Sequence, residues 1–299
     1  MSRELKSKNN LNKSIITIDS ELQRPGFDAI YLIISGDRAA FVDSGSNKSV
    51  PLMMDALKTY GIKAENVDYL FLTHVHLDHA GGAGLLIKTL PNIKAVIHPR
   101  GVRHMINPDR LITGSINVYG QELFNKLYGK IIPIPEKRII SAIDGQKFVF
   151  GDTMFHGFYT EGHAKHHHCF YDSKTEVVFA GDSFGISFRE FDTKNGGFIY
   201  PSTTPVHFDP IEAHKAIDKI VGFSPKRVYL THYGHVNDIT SLARQLSDRL
   251  DRFLAIALEY KHKKNRTNLI QKEMLEYLLE ELHSHGVRQS KSSLKNIIE

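Results

Sequence analysis

One loop constrains this chain more than any other part of its sequence. The run THVHLDH occupies residues 73–79, after an apolar segment typical of a buried strand and before a helical pattern of leucines. Four side chains that can bind metal therefore lie on one loop that is anchored at both ends: His74, His76, Asp78 and His79. His74 and His76 can point to the same side of an extended backbone, and the other two face a second position. The spacing predicts a site for two metal ions.

Further ligands are expected downstream, because four donors cannot complete two coordination spheres. Three candidates share one position, directly after a predicted strand: His163, Asp182 and His232. A carboxylate can bridge two cations, which two imidazoles cannot do. Asp182 is therefore the candidate bridge.

These motifs, read in order as HxHxDH, Gly-His, Gly-Asp and Thr-His, resemble the metallo-beta-lactamase superfamily from about Ala29 to His235. The resemblance implies an α/β fold, a four-layer αβ/βα sandwich with the metals at one edge of two packed sheets. It also implies a division of the ligands, with His74, His76 and His163 at the first metal, Asp78, His79 and His232 at the second, and Asp182 between them. Two zinc ions are expected, and iron or manganese suits the same donors.

Departures within the superfamily favour the glyoxalase II and lactonase-like branch. Asp182 stands where thiolate-type β-lactamases have a cysteine, and the single cysteine, Cys169, lies elsewhere. His76 stands where oxygen-reducing diiron relatives have a glutamate. We therefore expect a hydroxide that bridges the metals to cleave an ester, thioester or lactone of a small molecule, with Asp78 orienting it and accepting its proton.

Two alternatives stay open. A ribonuclease-like phosphodiesterase is suggested by a sequence pI of about 9.0 and the basic stretch 261–266. No Gly/Pro-rich arm for gripping RNA is evident, so a nucleic-acid partner is not expected. The other alternative is a non-catalytic sensor or scaffold that keeps the metal site.

Two residues are expected to support the ligands without binding metal. Asp43, in the sequence FVDSG, can accept a hydrogen bond from a ligand imidazole or a loop amide. His167 lies four positions after His163 and is assigned a similar supporting role. At least one of its neighbours, His166 and His168, is expected to be exposed to solvent.

The chain divides into three predicted regions. Residues 1–13 form a flexible tail, 14–239 form the metal-binding domain with a helical insertion at about 100–135, and 240–299 form an extension of two helices. The apolar stripe of that extension is predicted to pack on the sandwich or on a second subunit, so a homodimer is possible. No apolar run approaches the ~18 residues that span a bilayer, and a lone cysteine fits a reducing compartment, so we expect a cytoplasmic protein without membrane contact.

The connection after Asp182, residues 183–209, is long and rich in aromatic side chains. Long connections of this kind are often functional. We expect its aromatic residues to form the apolar wall of a substrate pocket beside the metals.

Overall fold

The computed structural model describes residues 13–204 and 207–298. The expected flexible tail lies outside this range apart from Lys13, which begins the first strand. None of the helices in the described part of the chain combines the length and the apolar character that crossing a bilayer needs.

The strands form two six-stranded sheets, each in sequence order. Sheet 1 contains β1 (Lys13–Asp19), β2 (Ala29–Ser35), β3 (Arg38–Val42), β4 (Val67–Phe71), β5 (Lys94–Ile97) and β6 (Ile139–Ser141). Sheet 2 contains β7 (Lys147–Phe150), β8 (Thr153–Tyr159), β9 (His168–Asp172), β10 (Val177–Gly181), β11 (Arg227–Leu230) and β12 (Gly234–Val236). Strands β3 to β6 are parallel, as are β10 and β11, and the other neighbouring pairs are antiparallel.

Helices connect the strands and follow the last one. They are α1 (Val50–Thr59), α2 (Leu77–Ala80), α3 (Ala83–Thr89), α4 (Pro99–Ile106), α5 (Asp109–Tyr119), α6 (Gln121–Leu127), α7 (Pro210–Gly222), α8 (Ile239–Glu259), α9 (Arg266–His285) and α10 (Lys291–Ile298). Short 3-10 turns occupy Asn47–Ser49, Ala64–Asn66, Glu136–Arg138 and Arg189–Phe191.

Three apolar layers hold the sheets and helices together. Aromatic side chains fill the space between the sheets, among them Phe71, Phe155 and Phe179. The outer face of sheet 1 packs on α1 and α3, and the outer face of sheet 2 packs on α7 and α8. The predicted four-layer sandwich is therefore confirmed.

The topology explains why residues at strand ends meet. Because β9 runs antiparallel to both β8 and β10, and β10 is parallel to β11, strands β8, β10 and β11 end at the same edge of sheet 2. Backbone hydrogen bonds join this edge to sheet 1, from His168 N to Thr73 O at 2.9 Å and from Ala29 N to Thr231 O at 2.8 Å. The loops after β4, β8, β10 and β11 are thus brought together.

Some local expectations were too coarse. The strand pattern over 147–159 is a hairpin, β7 and β8, which turns at Gly151 with a positive φ of 55°. The expected helical insertion contains α4, α5 and α6, and the extension has three helices instead of two. The expected exposure beside His167 is wrong, since His166 is partly buried and His168 is buried with Nε2 2.7 Å from Leu72 O.

Most aromatic rings of the connection 183–209 do not form the pocket wall that was expected of them. Most of its rings pack into a core with α8, α9 and α10, including Phe188, Phe191, Phe198 and Tyr200. The Arg249 guanidinium lies 4.0 Å from the centre of the Phe198 ring and donates to Ile199 O at 2.8 Å. The apolar stripe of the extension therefore packs within this chain, and these rings are buried because they have a protein surface to cover.

Candidate metal centre

Three imidazoles from two loops converge on the first position. His74 Nε2 lies 2.8 Å from His76 Nδ1, and His163 Nε2 lies 3.2 Å from the same atom. Nitrogens bound to one tetrahedral zinc at 2.0–2.1 Å are about 3.3 Å apart, so this spacing is close to what one ion requires. The two loops follow β4 and β8, one in each sheet.

The second position combines two imidazoles with two carboxylates. Asp78 Oδ2 lies 3.5 Å from His79 Nε2 and 3.7 Å from His232 Nε2. Asp182 Oδ1 lies 3.3 Å and 3.7 Å from the same two nitrogens. The four side chains form a ring of donors around one point.

Asp182 divides its two oxygens between the positions. Oδ1 faces the second position, whereas Oδ2 lies 3.5 Å from His163 Nε2. The Ser202 hydroxyl donates to Oδ2 at 2.8 Å and fixes the rotation of the carboxylate. This is the arrangement that a bridging ligand needs.

Two buried atoms at the centre make no hydrogen bond to any described residue, His79 Nε2 and Asp182 Oδ1. Buried polar atoms without a partner are costly, and a cation between them would satisfy both. The nitrogen and oxygen donors and the grouping of the side chains therefore fit divalent metal ions.

A buried network holds the His79 ring. Asp43 Oδ2 lies 2.8 Å from His79 Nδ1, and Asp43 Oδ1 accepts from the Thr73 amide at 2.8 Å. The hydroxyls of Thr73 and Thr231 also donate to this carboxylate. Since Nδ1 donates its proton to Asp43, Nε2 is the nitrogen that faces the second position.

His232 has an anchor that the sequence did not reveal. Its Nδ1 donates to the Phe27 carbonyl at 3.1 Å and lies 2.8 Å from Asp28 Oδ1. Asp28 directly precedes the fully buried strand β2, and that placement is the one signal that could have identified it. Burial raises the pKa of Asp28 to about 6, against the opposing effect of the His232 imidazole.

His167 lies behind Asp182, and its ring stacks on that of His74 with centroids 4.8 Å apart. Its Nε2 accepts from the Asp182 amide at 3.2 Å, and its Nδ1 lies 2.8 Å from Thr160 Oγ1. Gly181 has a φ of 50°, and a Cβ there would lie 2.7 Å from His167 Nε2. Glycine at this position lets the imidazole reach the backbone of the candidate bridge.

The two positions differ in their electrostatics. Burial, reinforced by the His163 imidazole, lowers the pKa of His76 to about 4, and burial also lowers the pKa of His74 well below its usual value. At the second position burial lowers the pKa of His232. The negative charges of Asp182 and, less strongly, Asp28 outweigh burial and raise this pKa to about 9. The imidazoles of the first position are therefore neutral at pH 7. The His232 ring, by contrast, carries a second proton and a positive charge in the metal-free protein.

A comparison with models of protein-family sequences matches residues 24–232 to the metallo-beta-lactamase superfamily, which is more than two thirds of the chain. The chain belongs to this superfamily. A metallo-beta-lactamase fold-containing protein of Sulfurisphaera tokodaii, ST1585, is 24% identical over 219 residues, covering 71% of this chain and 75% of that protein. Its crystal structure superposes with a TM-score of 0.65 at 22% identity, over 81% of this chain and 86% of that one.

Other superfamily members share the fold or part of the sequence. The protein TTHA1429 of Thermus thermophilus superposes with a TM-score of 0.62 at 19% identity, over 91% of this chain and 94% of that one. An atrochrysone carboxyl ACP thioesterase of Aspergillus chevalieri is 26% identical over 156 residues, which are 51% of this chain and 39% of that enzyme. The match therefore spans about two fifths of the fungal thioesterase.

Metal binding at the second position is expected to release protons. His232 keeps its proton up to a pKa of about 9, and Nε2 must lose it to bind a cation, so apparent affinity rises about tenfold per pH unit below that value. Calorimetry of His163→Ala, in buffers of different ionisation enthalpy at pH 7, counts these protons. His232→Ala, which lacks this imidazole, should release fewer. Equal release from both variants would contradict the difference between the two positions.

Proposed function

We propose that the protein is a hydrolase with two metal ions that cleaves an ester, thioester or lactone bond of a small molecule. The observation that carries this proposal is the placement of Asp182, which offers one oxygen to each of two ligand groups. His74, His76 and His163 would hold the first ion, and Asp78, His79 and His232 would hold the second.

Divalent ions held by these residues would lower the pKa of a bound water and polarise the carbonyl oxygen of a substrate. Zinc is the ion that we propose, because neutral imidazoles and carboxylates are among its usual ligands. Iron also accepts this donor set, and elemental analysis of the purified protein distinguishes the two.

Asp78 is the carboxylate that is placed to accept a proton from the attacking water. Its side chain is 20% exposed, compared with 5% for Asp182, and it lies at the open side of the centre. Oδ2 faces His79 and His232, which leaves Oδ1 to orient an attacking water and to accept its proton. Asp182, being buried and held by Ser202, stays in place during the reaction.

Two observations favour an acyl substrate. The partial relatives include enzymes named as acyl-carrier-protein thioesterases. In addition, a cavity of about 20 Å³ adjoins His163 and Asp182 and runs between α7 and α8, where Phe208, Ile217 and Leu246 line it. Its apolar wall suits a short hydrocarbon group better than the charged phosphate of a phosphodiester.

A substrate panel tests the proposal directly. The metal-loaded protein should hydrolyse acyl esters, thioesters or lactones and should be much slower on phosphodiesters, and His79→Ala should lose the activity. Turnover of phosphodiesters alone would contradict the acyl substrate. Two bound metals without turnover of any substrate would indicate a non-catalytic metal protein.

The cavity predicts a dependence on acyl length. We expect kcat/KM to be highest for short acyl groups and to fall as the chain lengthens, because a cavity of about 20 Å³ has room for roughly one water-sized group. Phe208→Leu should shift the optimum to longer chains because it widens the cavity. Phe198→Leu is the matched control, since that ring comes from the same segment but packs against the extension. Equal profiles for the two variants, or a flat dependence on length, would contradict this pocket.

A further inference from the structure

Asp28 is a buried carboxylate with few polar contacts to its oxygens. It is 1% exposed, and neither of its oxygens accepts a hydrogen bond from a described residue. The one ion-pair contact found for it is His232 Nδ1, 2.8 Å from Oδ1. Burying a charge is costly unless a partner of opposite charge compensates for it. The position of Asp28 therefore makes sense only together with His232.

Asp28 is not needed to orient the His232 ring. The Phe27 carbonyl already accepts the Nδ1 proton at 3.1 Å, and the Phe27 ring packs edge-on against the imidazole with centroids 5.2 Å apart. What Asp28 adds is negative charge on the side of the imidazole that faces away from the metal centre. That charge stabilises the positive charge which an imidazole acquires when Nε2 binds a cation.

Among the described residues, no carboxylate outside the ligand set pairs with an imidazole of the first position. His163 Nδ1 lies 3.0 Å from the neutral Ser202 carbonyl, and His74 Nδ1 lies 3.3 Å from the Thr73 hydroxyl. At the second position, by contrast, Asp43 lies behind His79 as Asp28 lies behind His232. Negative charge outside the ligand set is therefore concentrated on one of the two positions.

We propose that Asp28 is a positioning residue that strengthens the second metal position through its charge on His232. This inference rests on the ligand assignment of the proposed function, but it does not depend on which bond is hydrolysed.

The test measures metal affinity in two single-position backgrounds of the full chain. His163→Ala weakens the first position, and His232→Ala weakens the second. Asp28→Asn, which keeps the shape and removes the charge, is added to each. Zn²⁺ affinity is measured by chelator competition at pH 10, where a proton on the imidazole no longer competes with the metal. We expect a loss of about 10- to 100-fold in the His163→Ala background. In the His232→Ala background the loss should be less than about twofold, because the partner of Asp28 is gone.

Asp172→Asn is the matched control, since Asp172 is another buried carboxylate and lies at the end of β9 remote from the metal centre. It should leave Zn²⁺ affinity unchanged in both backgrounds. Equal losses from Asp28→Asn in the two backgrounds, or no loss in either, would overturn the inference. If Asp28→Asn does not fold, Asp28→Ser replaces it, and the Co²⁺ absorption spectrum of the His163→Ala background gives a second readout. A protein that binds two ions but hydrolyses nothing would refute the proposed function and leave this inference standing.

Discussion

We expect Asp182→Ala to lower kcat/KM on the best acyl substrate by about 10²- to 10³-fold, more than the loss of any single histidine ligand. Asp182 faces both positions, so its removal takes a ligand from each ion and leaves their mutual repulsion unscreened. A loss of about 3–4 kcal/mol of transition-state stabilisation corresponds to this factor. Metal analysis should show fewer than two ions per chain, and binding should no longer be cooperative.

Two further variants serve as comparisons for Asp182→Ala. Ser202→Ala removes the hydroxyl that holds Asp182 Oδ2 but keeps the carboxylate, so a much smaller loss is expected. His163→Ala removes one ligand from the first position only. Two tightly bound ions together with near-normal turnover in Asp182→Ala would show that Asp182 is not a bridge.

Asp43→Asn is expected to weaken the second metal by about 10- to 100-fold, although Asp43 is not itself a proposed ligand. The carboxylate accepts from the Thr73 amide through Oδ1 and from His79 Nδ1 through Oδ2. An asparagine that keeps its oxygen toward the amide presents an NH₂ group to His79. The imidazole must then accept at Nδ1 and carry its proton on Nε2, which removes the lone pair required for metal binding.

Thr231→Val provides the control for Asp43→Asn, because it removes another donor to the same carboxylate without changing the His79 tautomer. Its metal affinity should stay near that of the unchanged protein. Chelator competition measures both variants, and nitrogen NMR of the imidazoles reports the tautomer directly. An unchanged affinity for the second metal in Asp43→Asn would assign Asp43 to the stability of the turn alone.

The sequence was sufficient to predict the fold and the candidate ligands because both depend on local patterns. The candidate ligands lie in loops that follow apolar runs of strand length: the loop with His74 to His79, and the loops with His163, Asp182 and His232. Strands that end at one edge of a sheet bring such residues together, so the spacing of the motifs and the strand pattern point to the same centre.

The contacts of Asp28 and Ser202 could not be predicted in the same way. Asp28 meets a residue about 200 positions later in the sequence, through the junction where Ala29 N donates to Thr231 O. Ser202 reaches Asp182 because the connection 183–209 returns to the metal centre after packing against the extension. Neither contact leaves a periodic signal, since each depends on how distant segments cross.

The aromatic connection shows a different limit. Its composition required that the rings be covered but did not say whether substrate or protein would cover them. The leucine stripe of α9 supplied the cover, with Leu278 and Leu282 packed against the phenylalanines. Phe208, at the end of the segment, is the ring that reaches the cavity beside His163.

The candidate ligands come from both sheets, and each metal position draws on both. The loop after β4 supplies two ligands to each position, and loops of sheet 2 supply the rest. A bound ion would therefore link the loops of the two sheets at this edge of the sandwich, and the two sheets could not separate without releasing it. The free energy of unfolding would then rise with the concentration of free metal. At one hundred times Kd, each occupied position would add about 2.7 kcal/mol. Metal scarcity would thus lower the stability of the folded chain as well as the proposed activity.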